Sequence, residues 1–202
     1  MIEDADHSSH SESGGNEAAQ LEWHLAREQG DAYGDALQHA TQLAAGASGE
    51  YRTGDYWITF LLDSPRRINT WEQGQPVWHE PEGADLYVGI AVRDATDGRF
   101  VPAMRVGVTL LDEAGTVVGA GEHSLVWDPL AHQYGRNWHV EGEGPHSIRV
   151  RVEPPIHAQA GSDEAMTAME VEFSGLDLTL RRAPRSGPGH SSASPQRPRL
   201  QP

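Results

Sequence analysis

The 202-residue chain has no cysteine, and each of its 15 basic residues is an arginine. Without thiols there is no disulfide, no thiolate metal site and no thiol catalysis. Acidic residues number 30, which leaves a formal charge of −15 at pH 7. Phosphate-backbone binding needs basic residues in excess, so nucleic acid is excluded as a partner. Such acidity suits a chain kept soluble in high salt. No apolar run approaches the ~18 to 20 residues that span a bilayer, so no membrane span is expected. The start, MIEDADHSSHSESGG, is acidic and polar where a secretory signal is basic and then apolar, and no signal peptide is visible in it. Enzyme signatures are missing too: there is no Gly-rich phosphate loop, no nucleophile elbow and no HExxH. The His79-Glu80-Pro81 run lacks the second helical histidine that zinc needs. No pair among the many carboxylates is singled out for acid–base work. The expectation is a non-enzyme with no catalytic residues.

What is present divides the chain into four parts. Residues 1–16 read as a disordered acidic tail and 183–202 as a disordered Arg/Pro/Ser-rich tail, since both carry almost no large apolar residues. Histidines 7 and 10 could chelate a metal loosely, but a solvated tail explains them. Residues 17–48 are rich in Ala, Leu, Gln and Glu and predict a helical segment, with Asn16 as its cap and a break at Gly30 and Gly34. From residue 49 to 182 the pattern changes to short β-rich runs between Gly, Pro and Asp. The runs are 55–62, 86–94, 104–112, 116–120, 123–127, 147–153 and 169–180. Met104, Val106, Val108 and Leu110 alternate with Arg105, Gly107 and Thr109, the period of a strand with one wet face. DEAGTV reads as a hairpin turn. Seven antiparallel strands of this kind predict a mainly β chain, a two-sheet antiparallel sandwich.

Against an aromatic content of 7 %, the stretch WDPLAHQYGRNWHV, Trp127 to Val140, holds two tryptophans, a tyrosine and two histidines. Large rings gain by burial, and Trp and Tyr then need partners for their polar ends. The stretch is therefore an architectural clamp or the wall of a site.

DGRFVP (97–102), WDPLAHQYGRNW (127–138) and GPHSIRVRVEPP (144–155) follow one another in the order and spacing of the extracytoplasmic iron-transport-associated (Fe2+ transport) proteins. The chain resembles these immunoglobulin-like sandwiches over about residues 51–180, most closely the acidic versions of halophilic archaea. The resemblance implies a metal site between the sheets, holding a copper or iron ion, and work beside a membrane iron permease outside the cytoplasm or at the cell surface. At the ligands themselves the chain departs from the pattern. Tyr87 and Gly89 stand where the family has His-x-Glu, Val101 where it has Met, and Gln133 where it has His. Trp127, Tyr134, Gly135, Asn137 and Trp138 then read as architectural. The glycine supplies a backbone shape, Asn137 satisfies turn amides, and the rings close the sandwich end.

Two functions follow. The first is non-enzymatic metal binding or handing-on in iron or copper uptake, through a remodelled or degenerate site that uses His132, His157 and His123 as neutral imidazole ligands. The alternative is a non-metal protein-interaction module on the same scaffold. The partners to be looked for are the ion, a permease or other protein, and a second copy of the chain in a homodimer.

Overall fold

The structure, a computed structural model, describes residues 10–140, 145–154 and 167–178. A helix, α1 (His10–Leu43), precedes ten strands: β1 (Ser48–Thr53), β2 (Tyr56–Asp63), β3 (Ile68–Glu72), β4 (Gln75–His79), β5 (Leu86–Asp94), β6 (Arg105–Leu111), β7 (Val117–Val126), β8 (Gln133–Trp138), β9 (Pro145–Glu153) and β10 (Met169–Asp177). Every strand pairing is antiparallel, in the order β1-β2-β5-β8-β7-β6-β9-β10, with the β3–β4 hairpin attached to β7. Strand β7 joins the two sheets, because Val117–His123 pairs with β6 and Ser124–Val126 with β8. The mainly β, sandwich-type fold expected from the alternation is what the chain adopts.

Alternation decides what is inside. Ile148, Val150 and Val152 of β9 and Val106, Val108 and Leu110 of β6 are buried against Ile58, Phe60, Val88 and Ile90 of the facing sheet. Arg149 and Arg105 point outward to pair with Glu172 and Glu153. Strand β5 is buried on both faces. Leu86, Val88, Ile90 and Val92 fill the space between the sheets, while Tyr87 and Ala91 face outward into two smaller clusters with Leu61, Ile68 and Val126 and with Leu37 and Ala131. Those outer clusters position the candidate site. The DEAGTV turn is as expected, with Asp112 accepting from the Thr116 amide through its side chain.

Three expectations are corrected. First, α1 starts at His10, inside the segment read as tail, and runs unbroken through Gly30 and Gly34. Gly30 is a point of contact: a Cβ there would lie 1.8 Å from the Asp97 carbonyl oxygen, so the missing side chain lets the 97–98 loop touch the helix. Glycine inside a helix costs about 1 kcal/mol, a cost this docking offsets. Second, the runs 116–120 and 123–127 are one strand, β7, and the aromatic stretch contains a strand of its own, β8. Third, strands β1, β3 and β4 were not expected. The tails 1–9 and 179–202 lie outside the described residues.

Candidate functional site

Positions 87, 89 and 133, three of the four at which the chain departs from the ligand pattern it resembles, come together in the structure. They lie on the outer face of the sheet, not between the sheets as the resemblance implies. Gly89 of β5 pairs directly with Gly135 of β8. Tyr87 leans across one glycine and Gln133 across the other. A Cβ on Gly135 would lie 1.9 Å from Tyr87 Oη, and one on Gly89 would lie 2.1 Å from Gln133 Oε1. Gly135 therefore provides room, where a special backbone shape was expected. Val101 is elsewhere, packed against the cluster between the sheets.

Two connectors close this slot. From the β2–β3 connector, Arg66 lays its guanidinium over the Tyr87 ring, 4.0 Å from the centroid. From the β7–β8 connector, Asp128 accepts from Arg66 Nη1 at 3.1 Å, with Gln133 Nε2 3.5 Å from the same carboxylate oxygen. Asn137 holds the Arg66 backbone at both ends, accepting from its N–H at 3.1 Å and donating to its carbonyl at 2.8 Å. This is the turn-satisfying role expected for Asn137. Arg66 Nη2, Tyr87 Oη and Gln133 Oε1 are buried in the slot, and among the described residues Gln133 Oε1 has no hydrogen-bond partner, while Arg66 and Tyr87 face each other.

The electrostatics keep Arg66 charged. Burial opposes its charge, but Tyr87, Asp128 and Asp63 outweigh that and hold its pKa above the ordinary value. Burial raises the Tyr87 phenol, with Arg66 pulling the other way. Tyr87 therefore stays neutral. A metal ion does not fit this donor set. The slot offers a neutral phenol and one amide oxygen, its carboxylate is already paired, and a fixed guanidinium repels a second cation.

The histidines expected as ligands are separated. His123 is buried between the sheets, where its Nε2 accepts from Trp138 Nε1 at 3.1 Å and its Nδ1 faces the Tyr134 carbonyl at 3.4 Å. Burial depresses its pKa to about 3, so it is a neutral imidazole with both nitrogens engaged. His132 precedes β8 and is exposed, its backbone carbonyl accepting from Tyr33 and its ring 6.3 Å from that of Phe100. His157 lies outside the described residues, as does His7. His139 is at the surface beside Asp85, 2.7 Å away. Among the described residues no three His, Asp or Glu side chains are placed to hold a metal ion.

The aromatic stretch divides in two. Tyr134 is the clamp: buried, it accepts from the Met104 amide at 2.9 Å, donates to the Val101 carbonyl at 2.8 Å, and stacks on Phe100. Trp138 is buried with it. Trp127, expected in the same role, is 62 % exposed. Its backbone amide bonds to Asn69 while its ring lines a groove of about 470 Å³ with Trp71, Pro76, Leu125 and His132. Trp71 and Trp78 of the β3–β4 hairpin are 71 % and 51 % exposed. Three tryptophans thus face outward near one corner, a concentration that marks contact surfaces. The sequence reading missed Arg66, Asp128 and this hairpin. A signal for the hairpin exists in Gln73-Gly74, a two-residue turn with φ of 49° and 78°.

No protein-family model matches the sequence, and neither does any curated protein. Solved structures do share the fold. FetP of uropathogenic Escherichia coli strain F11, expressed in the periplasm, aligns at 16 % identity over 67 % of this chain and 96 % of FetP, with TM-score 0.53. A copper-bound FetP variant aligns at 16 % over 68 % and 94 %, with TM-score 0.54. Copper-reconstituted P19 of Campylobacter jejuni aligns at 12 % over 68 % and 100 %, with TM-score 0.54. At such identities the likeness is one of fold. Among the described residues no helix is long and apolar enough to cross a membrane.

Proposed function

We propose that the chain is a non-enzymatic, extracytoplasmic accessory of copper or iron uptake that meets its ion and its partner at the surface. The observation that carries this reading is the exposed groove that Trp71, Trp127 and His132 line together. An imidazole on an aromatic rim can share an ion with ligands that a docked partner supplies, and neutral imidazole suits copper, zinc and ferrous iron alike. The fold shared with copper-bound FetP and copper-reconstituted P19 over 68 % of this chain supports the metal side of the reading. The resemblance of DGRFVP, WDPLAHQYGRNW and GPHSIRVRVEPP, in that order, to the iron-transport-associated proteins supports a membrane permease as the partner. His157 is the second ligand proposed. His123, with both nitrogens engaged, is not proposed again.

The test is metal analysis of the purified chain, followed by titration with copper, zinc and ferrous iron. One weakly held ion per chain is expected, weakened further by His132→Ala and by His157→Ala and indifferent to removal of residues 1–16. Binding lost only on removal of 1–16 would refute the reading. The non-metal interaction module is the second reading, and the same tryptophans favour it. Partner binding that is unaffected by chelator would select it.

A further inference from the structure

Tyr87, Gln133, the Gly89–Gly135 pair and Arg66 make an arrangement that packing alone does not require. Two glycines sit opposite each other on adjacent strands, and the space their missing side chains leave takes a phenol oxygen and an amide oxygen. Over these lies a cation whose chain enters from a connector held by Asn137 at two points. The cation is paired on one side with Asp128 and faces the Tyr87 π cloud on another. A ring face on one side of a positive charge and a carboxylate on another form a cation-binding site, and the cation it holds is covalently attached.

We propose that the Arg66 guanidinium is a tethered cation that permanently fills this slot, so that the sandwich folds with its own side chain against positions 87 and 133, where the resemblance would put metal ligands. The fork matters: its central carbon sits 4.0 Å over the Tyr87 ring while Nη1 meets Asp128 at 3.1 Å, two contacts that a compact spherical ion or an ammonium does not make together. The slot is then a guanidinium site and takes no divalent ion while Arg66 is present. The slot on the outer face of β5 and β8 is separate from the His132 groove, so this inference stands apart from the proposed function.

Chemical rescue tests it on the full chain. Arg66→Ala is expected to lower the melting temperature by several degrees. Millimolar guanidinium, well below denaturing levels, should restore part of that loss saturably, in this variant and not in the unsubstituted chain. Rescue should vanish in Arg66→Ala/Asp128→Asn. Arg66→Lys covers the case in which the alanine variant does not fold: it keeps the charge, loses the fork, and is expected to melt lower and to alter the near-ultraviolet tyrosine signal. An alanine variant as stable as the parent, or one that guanidinium only destabilises, would overturn the proposal. A lysine variant identical to the parent in both measurements would do so too, as would copper binding to the parent that Tyr87→Phe or Gln133→Ala abolishes.

Discussion

The Trp138 indole N–H donates to His123 Nε2 across the buried face of β7 and β8, 3.1 Å between the nitrogens. The imidazole must stay neutral to accept that bond, and burial holds its pKa at about 3. An unfolded chain protonates the same ring near pH ~6.5. Between these values the unfolded state binds the extra proton, so this contribution to stability is complete above about pH 6.5 and is lost as pH falls toward 3. The total is on the order of 5 kcal/mol. His123→Gln keeps an acceptor for Trp138 without a titrating ring. Denaturant melts between pH 7 and 4 should show a shallower decline for this variant, and equal slopes would contradict the assignment.

Tyr134 and Trp127 belong to one stretch and should respond oppositely. Tyr134→Phe leaves the Met104 amide without its buried acceptor, a loss of about 1 to 3 kcal/mol. Trp127→Ala removes an exposed ring and should change stability by about 0.5 kcal/mol or less. Paired thermal melts decide: a larger drop for Trp127→Ala would put that ring back in the core.

Gly135→Ala should be costly despite its small size. The added methyl would fall 1.9 Å from Tyr87 Oη, so Tyr87 or the strand must move. Overpacking of this kind typically costs ~1 to 3 kcal/mol. Gly74→Ala is the control for backbone strain alone, since its φ is +78° and its Cβ would meet open space. If Gly135→Ala melts no lower than the parent, the slot is looser than described.

The strands the sequence revealed best are those with a single consistent signal. The 86–94 run is uniformly apolar and coincides with β5, and the Val/Arg alternation at 148–152 lies within β9. What escaped notice carried conflicting signals. Strand β8 spends its residues on two roles, Tyr134 and Trp138 inward and Gln133, Gly135 and Asn137 outward, so its alternation is polar against aromatic and resembles a turn. The β3–β4 hairpin shows its tryptophans to solvent, the reverse of the burial expected of large rings. Helix breaking at Gly30 was expected from local propensity, which docking against Asp97 overrides. The slot was half legible. Positions 87, 89 and 133 were found through resemblance, but Arg66 and Asp128 come from connectors 62 residues apart, roughly the span of a small domain, and only tertiary structure brings them together.

An ion held at the proposed His132 site is at the surface, and none is enclosed between the sheets. Copper titration followed by tryptophan fluorescence tests this directly, because Trp127 and Trp71 line the same groove as His132 while Trp138 is buried elsewhere. The account predicts partial quenching that follows binding, with His132→Ala weakening the apparent affinity at least about tenfold, or ~1.4 kcal/mol. Tight, stoichiometric copper binding that survives His132→Ala unchanged would contradict it.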